Sequence, residues 1–60
     1  MNNLKAGDII EKTDGTSPKK VIARLETLIW YKDSYPHGLS PNISMMEIDD
    51  LINFGYQIRK

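Results

Sequence analysis

The chain has 60 residues, no cysteine, 40% apolar and 27% charged residues, and eight basic side chains balanced by eight acidic ones. That length holds one domain and leaves no room for a two-domain active-site cleft. The missing thiols exclude disulfide staples, thiolate zinc sites and thiol catalysis, and zero net charge argues against a general nucleic-acid binder.

Gly7 to Lys12 reads as a short strand, Gly-Asp-Ile-Ile-Glu-Lys. Thr13-Asp14-Gly15-Thr16-Ser17-Pro18 breaks it: Asp-Gly marks a turn, Ser17 suits a helix N-cap and Pro18 a first helical position. A helix is predicted over 18–32. At about 100° per residue, Val21, Ile22, Leu25, Leu28 and Ile29 fall within an arc of about 120°. Two prolines and a glycine then make 33–43 a loop. Ser44 with Glu47 forms a capping-box pattern that opens a second helix over 45–54, with Met45, Ile48, Leu51 and Ile52 on one face and Gly55 ending it. Tyr56-Gln57-Ile58-Arg59 reads as a terminal strand. The expected fold is a small α+β domain in β-α-α-β order, with both helices packed on a sheet of two terminal strands lying side by side.

Two strands make a weak sheet, and a 60-residue domain buries only about 60% of its unfolded surface. A homodimer that extends the sheet or shares the helix face would remedy both, so self-association is one expected route to stability. The start of the chain lacks the apolar core of a secretory signal, and no apolar run approaches the 18 or so residues of a spanning helix. A cytoplasmic location, bacterial or in an infected host cell, is the economical expectation.

Trp30 is the most informative residue. On the expected helix it points about 140° from the centre of the apolar stripe. A tryptophan off the core face is a candidate interface anchor. The competing reading folds its ring over the following loop, against Tyr35 or Pro36. Tyr31, Tyr35 and His37 add hydrogen-bonding aromatics around that loop; a satellite apolar cluster under the loop is the alternative. Glu47, Asp49 and Asp50 give the start of the second helix an acidic face for a basic partner, or simply complement the helix dipole. Residues 33–60 carry two cations against four carboxylates, and residues 1–32 carry six against four. Lys12, Lys19, Lys20 and Arg24 form a basic group that would meet phosphates if nucleic acid were the ligand, though a solvated helix face is the plainer reading.

No catalytic constellation stands out. The glycines do not form a phosphate loop, and no cofactor is expected. The serines lack a nucleophile-elbow context. His37 is the only histidine, without a partner suited to holding a metal, so no metal site is expected.

Leu4 to Gly15 resembles the strand-turn-strand segment of PDZ domains, although the chain is too short for the remaining strands. Ile48 to Ile58 resembles the end of a winged helix-turn-helix domain, where a helix passes through a glycine into a wing strand; Asp49 and Asp50 depart from what a DNA-reading helix carries. In general character the chain is similar to small accessory proteins of bacteriophages and mobile elements. The leading expectation is a non-enzymatic protein-binding regulator or inhibitor, docking through Trp30, Tyr31, Tyr35 and His37 with the acidic Glu47, Asp49 and Asp50. The alternative is a small winged-helix-like nucleic-acid-binding regulator using Lys12, Lys19, Lys20 and Arg24.

Overall fold

The stretch expected to be the first helix is a β-hairpin. A computed structural model describes residues 1–59, and in chain order they form β1 (Ile9–Lys12), β2 (Lys19–Leu25), β3 (Leu28–Tyr35), β4 (Gly38–Leu39), β5 (Ser44–Glu47), α1 (Ile48–Asn53) and β6 (Tyr56–Ile58). Every strand pairing is antiparallel. The order across the sheet is β4-β3-β2-β1-β6, and β5 pairs with β3 as well. β5 runs beside Leu28–Tyr31 and β4 beside Ser34–Tyr35, so the two share one edge of β3.

The α+β expectation of two helices on a two-stranded sheet is therefore overturned: the fold is mostly antiparallel sheet with one six-residue helix. The physical reason lies in residues 19–35. Val21, Ile22, Ile29, Trp30 and Tyr31 are β-branched or aromatic, and they fit a pleated surface better than a helix. β2 carries a bulge: Val21 pairs with Tyr31, but Ala23 pairs with Trp30, leaving Ile22 as the extra residue. The bulge shifts the inward positions of β2 from Lys19 and Val21 to Arg24, and that slip breaks the period of two. What remained looked helical. The two-residue turn Glu26-Thr27 joins Leu25 to Leu28, with Glu26 at φ 54° where glycine or asparagine usually marks a hairpin.

The second expected helix, 45–54, splits. Ser44–Glu47 is extended and pairs with β3; only Ile48–Asn53 is helical. Ser44 caps nothing there, and Glu47 takes the N-cap position with no side-chain cap bond. The Ile48 amide donates instead to the Thr27 carbonyl at 2.8 Å. The expected loop over 33–43 is partly ordered as the end of β3 and as β4. The outer strands agree better. β1 starts at Ile9 rather than Gly7, β6 ends at Ile58 rather than Arg59, and the two pair side by side with Ile10 opposite Ile58.

The core lies on the inner face of the sheet. Ile10, Val21 and Ile29 are fully buried there with Tyr31, beneath Ile48 and Leu51 of α1 and Leu4 of the leading segment. Met1, Met46, Tyr56 and Ile58 pack around them. The leading segment is held by Arg24, whose Nη1 donates to the carbonyls of Met1 (3.3 Å), Asn2 (3.1 Å) and Leu4 (2.8 Å). One guanidinium thus seats Leu4 over the sheet.

Candidate functional site

Side chains alternate across a strand, so β3 presents Ile29 and Tyr31 inward and Leu28, Trp30 and Lys32 outward. The cross-strand register builds the outer face in three rows. Ala23 and Met45 flank Trp30. Leu25 and Glu47 flank Leu28. Lys20 stands beside Lys32. Trp30 and Leu28 are half-buried by these neighbours, whereas Leu25 is 65% and Met45 64% exposed. Ile43, which leads into β5, is 56% exposed. Among the described residues neither sheet nor helix covers this face, and large apolar side chains that keep this much surface in water form a patch of the kind that marks interaction sites.

Trp30 therefore sits away from the core, as expected, but for a different reason: the pleat puts it there, not a helix turn. It does not fold over the following loop. Tyr35 lies five positions farther along the same extended strand, roughly 17 Å away at the usual rise. Tyr31 is corrected outright: at 8% exposure it is core, and the Lys19 ammonium sits 4.9 Å from its ring centroid. Tyr35 and His37 stack on each other at the β3–β4 turn, centroids 5.6 Å apart and planes within 7°. The expected aromatic surface is thus divided among an outer face, a core and a hairpin tip.

The acidic group divides too. Glu47 accepts a hydrogen bond from the Thr27 hydroxyl at 2.9 Å, at one end of the outer face. Asp49 and Asp50 are exposed in the first turn of α1, beyond that face. Leu25, Leu28 and Met45 belong to the surface although the helical reading placed Leu25, Leu28 and Met45 on core faces. The residues gave no signal for them: Leu28-Ile29-Trp30-Tyr31 is an unbroken apolar run, so nothing in its polarity separates the outward side chains from the inward ones.

The basic group makes no continuous stripe. Lys19 points inward and pairs with Asp33 at 2.6 Å. Burial pulls its pKa down, but the bond to Asp33 and the nearby Tyr56 hydroxyl outweigh this and hold it above its ordinary value. Lys12 lies 5.9 Å from the Tyr56 ring centroid. Arg24 is engaged with backbone carbonyls, and only Lys20 remains on the outer face.

One recess adjoins the Lys19–Asp33 pair, an open cleft of about 540 Å³ walled by Pro18, Tyr35 and Pro36. Its charged groups satisfy each other. No group of three or more metal-ligating side chains occurs among the described residues, and no helix there is long and apolar enough to cross a membrane.

The chain matches no protein-family model, no curated protein and no solved structure.

Proposed function

We propose that the protein is a non-enzymatic binding protein of the cytoplasm that docks a protein partner on the outer face of its sheet, with Trp30 as the anchor. The observation that supports this is the row Ala23–Trp30–Met45, bordered by Leu25 and Leu28 and left without a covering layer. A tryptophan ringed by apolar neighbours on a rigid sheet loses little side-chain freedom on binding, and large aromatics at the centre of a patch dominate interface energies. A regulator or inhibitor that acts by covering a site on another protein needs only such a surface. Tyr35, His37, Asp49 and Asp50 fall outside it and are left out of the proposed contact.

The test is affinity capture with wild type, Trp30→Ala and Met45→Lys baits, each first checked for a native circular-dichroism spectrum. Loss of the bound protein with both folded variants supports the reading. A partner held equally by all three baits places binding elsewhere and overturns it. An interface anchor truncated to alanine typically costs about 2 kcal/mol or more of binding.

A further inference from the structure

We infer that the occupant of this face is a second copy of the chain, packed sheet on sheet in antiparallel orientation; the inference rests on the binding reading above and names its partner. Charge placement carries the argument. Along β3, Leu28 and Lys32 lie two residues on either side of Trp30, roughly 6.6 Å each way. The Leu28 row ends in Glu47 on β5, and Glu26 occupies the adjoining turn. The opposite row is Lys20 beside Lys32. None of these four charges forms an ion pair with another described residue. The face is therefore acidic at one end, basic at the other and apolar between, with Trp30 midway.

A two-fold axis lying in the face along the Trp30 row exchanges the ends. It sets the two Trp30 rings together at the centre. Lys32 comes over the partner's Leu28 row, offset sideways by one strand, roughly 4.8 Å, from the partner's Glu47. Lys20 comes over the Leu25 position of the second copy, beside its Glu26. Sheets packed face to face lie roughly 10 Å apart, which long lysine and glutamate side chains bridge. Turning one copy end for end removes this match and sets like charges together, so the arrangement selects one orientation. A basic partner would be repelled by Lys20 and Lys32, and an acidic one by Glu26 and Glu47. A surface that carries both, equally spaced about its anchor, is complementary to itself.

Sedimentation equilibrium on the full chain tests this, with circular dichroism as the check on folding. Wild type is expected to dimerise. Lys32→Glu and Glu47→Lys should each weaken dimerisation about tenfold or more by placing like charges opposite each other. The double variant Lys32→Glu/Glu47→Lys should return to near the wild-type constant, because each copy then offers the inverted pair. Recovery in the double variant is a result that damage to the fold cannot produce. A wild-type chain that stays monomeric at millimolar concentration overturns the inference. So does a dimer insensitive to both single changes, or one the double change fails to restore. Should the chain be monomeric while the capture experiment still finds a Trp30-dependent partner, the dimer falls and the binding reading stands. A dimer that obeys the charge swap but tolerates Trp30→Ala removes the anchor and leaves the orientation.

Discussion

Tyr31 and Trp30 are neighbours on β3, yet the pleat sends them to opposite fates. Tyr31 faces Val21 across the inner side of the sheet and is 8% exposed. Trp30 faces outward between Ala23 and Met45 and keeps part of its ring in water. The inner face has a lid made of Leu4, Ile48 and Leu51. The outer face has none among the described residues. A single strand thus serves stability with its odd positions and is free to serve recognition with its even ones. The lesson is that aromatic character does not decide which face of a small sheet a residue occupies; the parity of its position does.

The hardest test of this contrast is Ile29→Ala set against Trp30→Ala. Ile29 is fully buried at the centre of the core. Its truncation should cost about 2–5 kcal/mol, much of what a chain of this size holds at roughly 0.05–0.15 kcal/mol per residue. The variant is expected to be largely unfolded in mild urea. Trp30→Ala should keep a cooperative transition with a midpoint much nearer wild type. If the two urea curves collapse together, Trp30 supports the fold as Ile29 does, and the division between faces is lost.

A second, smaller effect belongs to the lid. Arg24 lies on β2 opposite Ile29, and its guanidinium reaches the Met1, Asn2 and Leu4 carbonyls. Arg24→Ala removes these charge-assisted bonds and is expected to cost about 2 kcal/mol. Its signature is local. Hydrogen exchange at the Leu4 amide, bonded to the Met1 carbonyl at 3.2 Å, should accelerate more than exchange in the β2–β3 ladder. Lysine at this position should recover only part of the loss, since one ammonium can donate to the leading carbonyls but cannot also make the bond that Arg24 Nε gives the Glu26 carbonyl. Uniform acceleration across the sheet would mean that the segment is no separate lid.

How far these features could be read from the residues follows from the same contrast. β1, β6 and their pairing were legible because Gly7-Asp8 and Gly55 bracket short runs rich in isoleucine and tyrosine. That Trp30 points away from Ile29 was legible, because both a helix and a strand separate the two; whether it ended on the surface or packed under the following loop was not. The hairpin was not legible. Glu26-Thr27 lacks the Asn-Gly or Asp-Gly signal of a tight turn, and the bulge at Ile22 replaces alternation by a spacing that mimics a helical stripe. Ser44–Glu47 carried a capping box that lost to the open edge of β3, where four residues gain a ladder of backbone hydrogen bonds that one side-chain cap cannot match. The outer face was hidden for the same reason: a helical reading buries Leu25 and Leu28 together with Ile29, although the pleat separates them.

The turn itself offers a third test. Glu26 holds φ 54°, a left-handed conformation that costs a non-glycine residue about 1–2 kcal/mol. Glycine relieves this but gives up about 0.5–1 kcal/mol to the greater freedom of the unfolded chain. Glu26→Gly should therefore raise stability slightly, by about 0.5 kcal/mol. The bond from Arg24 Nε to the Glu26 backbone carbonyl, 2.7 Å, should survive it. The same change deletes one acidic group of the outer face, so it should strengthen the fold while weakening any dimer. A change that moves both in one direction would tie the turn to the core rather than to the face.

The smallest effect concerns the edge pair of β1 and β6. Arg59 donates to Glu11 at 2.8 Å, and that hydrogen bond, reinforced by the charge of the guanidinium, holds the Glu11 pKa below its ordinary 4.5. A carboxyl whose folded pKa is lowered adds stability that is present above its unfolded pKa and lost as pH falls through the folded one. Asp8 and Asp14, lowered by hydrogen bonds from Lys5 and Thr16 respectively, act in the same sense. The melting temperature should therefore decline as pH drops below about 4.5. Glu11→Gln should melt slightly below wild type at neutral pH, and the two should converge in acid, where wild-type Glu11 is also uncharged. Because the pair is exposed, added salt should shrink the neutral-pH difference. A gap that persists undiminished in acid would mean that Glu11 supports the β1–β6 edge through packing rather than charge. That edge would then be held by its side chains much as the inner face is, and the contrast between charged surface and apolar core would weaken there.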